Sequence, residues 1–155
     1  MLCSINSHRR TPYNSYGLRS GDLKYKDIIQ AGHMNPDYTR YELHRVWVVE
    51  STLKEGSRHI YARRTFYVDE DSWQIGIIDH YDGRGELWRV KEGHPIMHYQ
   101  ADIPWLAAES LHDLISGRYL VIGLDNEEKG YQYDFEYMGT FEEFTPAALR
   151  RAGRR

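Results

Sequence analysis

Eight histidines and 23 acidic side chains in 155 residues supply the raw material for metal ligation and acid–base catalysis, so their spacing comes first. His94 and His98 stand four apart, which on a helix would bring two ligands to one face. Pro95 and the alternation around it favour a strand instead, where four residues span about 13 Å and cannot share one ion. His44 and His59 would meet across a hairpin, and His80 adjoins Asp79 and Asp82. For each of these the better-supported reading is a polar residue on the wet face of a sheet. No serine stands in a Gly-x-Ser-x-Gly elbow. Cys3, the only cysteine, lies in a start expected to be irregular, and alone it makes neither a disulfide framework nor a thiolate zinc site. The pairs Asp69/Asp71 and Glu142/Glu143 fall in turns or at a strand end, where carboxylates are usually solvated. Gly83-Arg84-Gly85 is followed by no helical pattern that would aim amides at a phosphate, so it reads as a hairpin turn. Catalytic residues, a metal and a cofactor are therefore not expected. A hydrolase built on His80 with Asp79 or Asp82 stays a remote alternative.

The elements that must position these side chains are extended ones. Along Tyr41–Glu50, Tyr41, Leu43, Trp47 and Val49 alternate with Glu42, His44 and Glu50, the period-two signature of a strand with unlike faces. Leu53-Lys54-Glu55-Gly56 reverses the chain, and a dense run of β-formers follows over His59–Val68. Asp69-Glu70-Asp71-Ser72 supplies a polar turn, Trp73, Ile75 and Ile77 resume the alternation, and Asp82-Gly83-Arg84-Gly85 turns the chain into Glu86–Val90. These segments predict a β-meander. His94–Tyr99 reads as a continuing edge strand, because proline is tolerated where its missing N–H has no partner. Over 104–116 the spacing of Ala107, Ala108, Leu111, Leu114 and Ile115 fits a helix, while Ile115-Ser116-Gly117-Arg118 fits a hairpin turn into Tyr119–Ile122; the hairpin is slightly favoured. Tyr131–Tyr137 alternates aromatic with polar and predicts a half-buried strand. Thr145, Pro146 and Gly153 bracket a short terminal helix with a cap, a first-turn proline and a closing glycine.

Bulk properties narrow the function classes. A length of 155 residues and 41 % hydrophobic composition suit one domain with a real core in at least part of it. A net charge of −3 gives no drive toward polyanions, so nucleic acid is not an expected partner. No apolar run approaches the ~20 residues of a membrane span, and the opening ten residues turn polar at once, so no secretory signal is read in them. Residues 1–39 are rich in turn formers and expected to be irregular, packing on upstream elements; 40–155 is expected to be the sheet domain, the C-terminal part of a longer half-barrel. With 13 Tyr, 4 Trp and 4 Phe, the sheet offers an aromatic surface. Trp47, Tyr61, Phe66, Trp73, Ile75 and Trp88 are the candidates to line a concave face for an apolar ligand, with Trp105 a further candidate for core or lining. Arg150, Arg151, Arg154 and Arg155 are candidate contacts for a partner, a membrane protein among them, or for anionic lipid.

The runs Tyr41–Glu50, Arg58–Tyr61, Tyr67–Ile75, Tyr81–Arg89, Gly117–Leu120 and Phe144–Arg151 together resemble the carboxyl-terminal part of a bacterial family known only as a domain of unknown function, whose members look like outer-membrane lipoprotein-sorting proteins. The resemblance implies a mainly β fold: a strongly curved antiparallel sheet of the LolA/LolB half-barrel kind with a short C-terminal helix. It further implies a periplasmic, non-enzymatic carrier in Gram-negative bacteria whose concave side accepts acyl chains. Members are longer and begin with a secretion signal, and this chain departs on both counts.

Overall fold

The computed structural model describes residues 2–129 and 133–153, with side chains from residue 7 onward. Strands β1 (Leu2–Pro12), β2 (Tyr41–Thr52), β3 (Arg63–Asp69), β4 (Ile75–Tyr81), β5 (Leu87–His98), β6 (Ile103–Asp113) and β7 (Tyr119–Ile122) pair antiparallel in sequence order, giving one curved, unclosed seven-stranded sheet. Two short helices accompany it, α1 (Tyr25–Ile28) and α2 (Pro146–Ala152).

Three of the reversals are made by an aspartate that stands at or next to a strand end and folds its carboxylate back on the turn. Asp69 accepts from Ser72 N–H at 2.8 Å, Asp82 from Arg84 and Glu86 N–H at 2.9 and 3.0 Å, and Asp113 from Ile115 and Ser116 N–H at 3.2 and 2.9 Å. Each therefore satisfies donors the ladder leaves free. The turn after Asp113 settles the reading of 104–116: it is a hairpin, with Gly117 at φ +68° and Asp113 N–H bonded to Arg118 O at 2.8 Å.

Register assigns the faces. Val46 lies opposite Asp69, and the rows Val48, Tyr67, Ile77, Glu92, Ser110 and Glu50, Thr65, Asp79, Val90, His112 run across β2 to β6, so these residues share one face. This face is concave. Three strand spacings should separate β1 from β4 by about 14 Å in a flat sheet, yet a Cβ on Gly76 of β4 would stand 3.1 Å from Thr11 Cβ of β1. Arg9 of β1 lies 3.9 Å over the Tyr67 ring and 3.8 Å from Asp79, and Tyr41 of β2 donates to Glu92 of β5 at 2.9 Å.

At the β6–β7 end the concave side is filled by the segment between β1 and β2. Leu18, Ile28 and Met34 bury against Ile96, Ala107 and Ala108 in a small core, and the Tyr119 hydroxyl lies 2.7 and 2.8 Å from the carbonyls of Gln30 and His33. Ser15 N–H donates to Pro95 O at 3.3 Å, and the Tyr16 hydroxyl reaches Met97 O at 3.2 Å and Met97 N at 3.1 Å. These residues stand beside the part of β5 where β4 no longer pairs.

Several expectations are corrected. The start is not irregular: Leu2–Pro12 is a strand whose polar sequence suits it, because Arg9 and Thr11 meet a polar wall. The second strand of the meander begins at Arg63, not His59, since Leu53 N–H pairs with Ala62 O at 2.9 Å and the intervening residues form the loop. His94–His98 is an exception: it continues β5 as expected, with β6 on one side and β4 no longer pairing on the other. Tyr131 and Gln132 lie outside the described residues, and 133–137 forms no strand; Tyr133 meets His98 edge-on and Phe135 meets it tilted, their ring centroids 5.5 and 4.9 Å from its own. The terminal helix forms as expected, Thr145 Oγ accepting from Ala148 N–H with Pro146 at its first position. Its closing Gly153 is right-handed, at φ −79°, and leaves the left-handed region unused.

Candidate functional site

The concave wall sets buried polar groups beside apolar ones such as Val46 and Ile77. Thr11, Thr65, Asp69, Asp79, His94 and Ser110 are all buried there. Some of these groups are paired and others are not: Tyr67 donates to Asp79 at 3.0 Å, and burial with the Asp79 charge pushes its phenol up to about 12, whereas Thr11 Oγ1 and His94 Nε2 have no hydrogen-bond partner among the described residues. His94 loses its charge readily, because burial and then the nearby His112 hold it down at about 4. Six aromatic and aliphatic candidates were expected on this wall, and the register places Trp47, Phe66 and the groove residues on the other face.

That convex face carries a groove of about 250 Å³ lined by Trp73, Ile75, Ile78, Leu106, Gly93, Gln74, Lys91 and Glu109. It exists because of two local features. Gly93 of β5 has no side chain where a Cβ would come within 3.0 Å of Ile75 O and 3.1 Å of Leu106 Cδ2, so the start of β4 can lie close over the strand. Gln74 Nε2 then donates to Pro104 O at 3.3 Å, tying the β3–β4 turn across to β6. Lys91 and Glu109, paired at 2.7 Å, form a charged border on an otherwise apolar slot. Trp73 stands on its lip in a left-handed conformation, φ +58°, 69 % exposed and stacked on Trp47 at 6.2 Å.

The candidates thus separate into two groups. Trp73 and Ile75 line the groove, Trp47 supports Trp73 from below, and Phe66 lies beside Ile78 in the ladder. Tyr61 and Trp88 belong elsewhere. They meet edge to face at 5.8 Å beside His80, with Trp88 Nε1 donating to Asp113 at 3.1 Å and Arg89 bonding both Asp113 and the Tyr61 hydroxyl, at 2.9 and 3.0 Å. Trp105 is 46 % exposed and outside the groove lining. Gly93, Leu106, Lys91 and Glu109 were not singled out from sequence; a glycine inside an otherwise β-forming run was the available signal for a close backbone approach.

None of the sequence-suggested catalytic pairs forms. Asp79 and His80 are neighbours on one strand and point to opposite faces, His80 toward Tyr61 and Asp79 toward Tyr67. The imidazole of His80 is held at about 4 by burial, Arg64 and Arg89, and the Asp82 carboxylate is occupied by its turn. His44 contacts Asp69 at 2.8 Å and His59 contacts Arg64 at 3.2 Å, so the two histidines do not meet. Arg150 and Arg151 are exposed in the last turn of α2, while Arg154 and Arg155 lie outside the described residues. No helix among the described residues is long and apolar enough to cross a membrane.

An uncharacterized protein of Pseudomonas aeruginosa is 59 % identical over 142 residues, covering 92 % of this chain. The chain spans 31 % of that relative's length. Among solved structures, a DUF1329 family protein from Desulfovibrio piger aligns with 50 % of this chain and 32 % of its own, at 19 % identity and a TM-score of 0.44. A domain from Vibrio parahaemolyticus described as that of an outer membrane lipoprotein-sorting protein aligns with 59 % of this chain and 40 % of its own, at 12 % identity and a TM-score of 0.41. The model of the family described as protein of unknown function (DUF1329) matches residues 8–150, and the chain belongs to that family.

Proposed function

We propose that this chain is part of a non-enzymatic binding module of the Gram-negative cell envelope, and that it holds an apolar, acyl-chain-like ligand in the groove between Trp73 and Leu106. The observation that carries the reading is Trp73 itself. A large aromatic side chain is held in a sparsely populated backbone region, largely exposed, at the mouth of an apolar slot. Exposed apolar surface of this kind on a soluble face favours contact with something apolar, and the Lys91–Glu109 pair supplies a polar anchor for a headgroup at its border. The location rests on the family resemblance. Displacement of a fluorescent fatty acid from the purified chain, with mass spectrometry of lipids extracted from the native protein, tests it. Saturable displacement weakened by Trp73→Ala and Leu106→Asp supports the groove; no displacement, or displacement indifferent to both substitutions, removes it.

A second reading is favoured by the C-terminal segment. Phe141, Phe144 and Leu149 are strongly exposed, 86, 80 and 76 %, around a helix that ends in Arg150 and Arg151. In this reading α2 and the open edge of β7 dock on a membrane-protein partner. Pull-down with and without residues 141–153 separates it from the groove reading.

A further inference from the structure

We infer that His44, Asp69 and Asp71 form a binding site for a divalent transition-metal cation at the β3–β4 turn. One donor atom from each of the three lies within 4.8 Å of the others. His44 Nδ1 and Asp69 Oδ1 are 2.8 Å apart, close to the ~3 Å that separates neighbouring ligands around an ion with bonds of about 2.1 Å. The two come from adjacent strands, since Val46 of β2 is the register partner of Asp69 at the end of β3.

The roles of the individual atoms support an ion there. Asp69 gives its other oxygen to Ser72, accepting from N–H at 2.8 Å and from the hydroxyl at 2.6 Å, which fixes the carboxylate and leaves Oδ1 facing His44. His44 presents Nε2 to Glu42 at 3.7 Å. At 2.8 Å the Nδ1 and Oδ1 atoms share a proton, and an ion seated between them would displace it and take both as ligands, with Glu42 behind the ring. Asp71, exposed on the same turn, brings a carboxylate oxygen within 4.8 Å of the other two donors as the third ligand.

Charge points the same way. Glu42 is paired with Arg40 and Glu70 with Arg45. Among the described residues Asp69 has only His44 as an ion-pair partner, and His44 is charged only when protonated. A buried carboxylate without a permanently charged partner favours a cation beside it. The Tyr13 ring lies 4.1 Å from that of His44 and covers one side of the cluster. One imidazole with two carboxylates suits Zn²⁺ or Mn²⁺, whereas Mg²⁺ and Ca²⁺ prefer oxygen alone.

The test is titration of the chelator-stripped chain with ZnCl₂ and MnCl₂ by calorimetry. It is paired with Trp fluorescence, because Trp73 N–H bonds Asp69 O at 3.0 Å within the same turn. Saturable binding at one site per chain is expected, weakened at least tenfold by Asp71→Asn and at least a hundredfold by His44→Gln, and unaffected by His59→Gln. Asp71→Asn should melt with the metal-free parent, so its loss of affinity is not a loss of folding. Absence of saturable binding, or wild-type affinity in Asp71→Asn or His44→Gln, overturns the site.

Discussion

Thr11 on β1 and Gly76 on β4 are in contact across two intervening strands, the Thr11 Cβ and Cγ2 standing 3.1 and 3.2 Å from where a Cβ on residue 76 would lie. Curvature of this sheet is therefore written into a missing side chain. Gly76→Val should cost about 1–3 kcal/mol by overpacking. Thr11→Ala in the same chain should recover part of that loss, the coupling expected of residues in contact. Urea unfolding of the two single variants and the double variant measures it; full additivity would contradict the contact.

Trp73 is held at φ +58°, where a residue with a Cβ is strained and asparagine is comparatively comfortable. Trp73→Asn should leave stability within about 0.5 kcal/mol of the parent, because relief of strain offsets the lost stacking on Trp47. Binding of an apolar probe to the groove should fall at least fivefold. Chemical denaturation beside probe titration checks both halves.

His94 is buried and neutral, with its folded pKa lowered to about 4 from 6.5. The unfolded chain binds the proton first, so stability is full above pH 6.5 and declines as the pH falls from 6.5 toward 4, at up to about 1.4 kcal/mol per pH unit for this group. His94→Gln should flatten that part of the profile. Unfolding free energies at pH 7.0, 5.5 and 4.5 for both chains are the measurement.

Residues 141–153 fold on themselves: Thr140 N–H bonds Glu143, Thr145 caps α2, and the apolar side chains face outward. Removing them should shift the melting temperature of the sheet by less than about 2 °C, since little buried surface is lost. A larger drop in differential scanning fluorimetry would mean that the segment packs on the sheet.

Legibility followed the physics of each element. Strands β2 to β5 alternate or cluster β-formers between aspartate- and glycine-rich turns, so the meander could be read directly. The face that alternation buries could not. A period of two says that Val46 and Trp47 point apart, but not which way the sheet bends, and the bend depends on Thr11 meeting Gly76 from far away in sequence. The inner wall proved rich in buried polar groups, and Trp47, Phe66, Trp73 and Ile75 lay outside it. Strand β1 was missed for the same reason, because a strand that lies against charged and hydroxyl groups carries no apolar rhythm. In the groove, Trp73 and Ile75 were visible as aromatic and aliphatic neighbours of a turn. Leu106, Lys91 and Glu109 come from two other strands and are joined only by the fold. The Asp69–His44 contact likewise depends on pairing between β2 and β3, which spacing along the chain does not reveal.

The Tyr16 hydroxyl, seated on the amide and carbonyl of Met97, does for β5 what a neighbouring strand would otherwise do. A free stretch of ladder is an invitation to foreign chains, and here one phenol acts as a stopper in it. Replacing that tyrosine with phenylalanine would leave the ring in place and uncork the seat, and the variant is expected to self-associate more readily than the parent through that stretch.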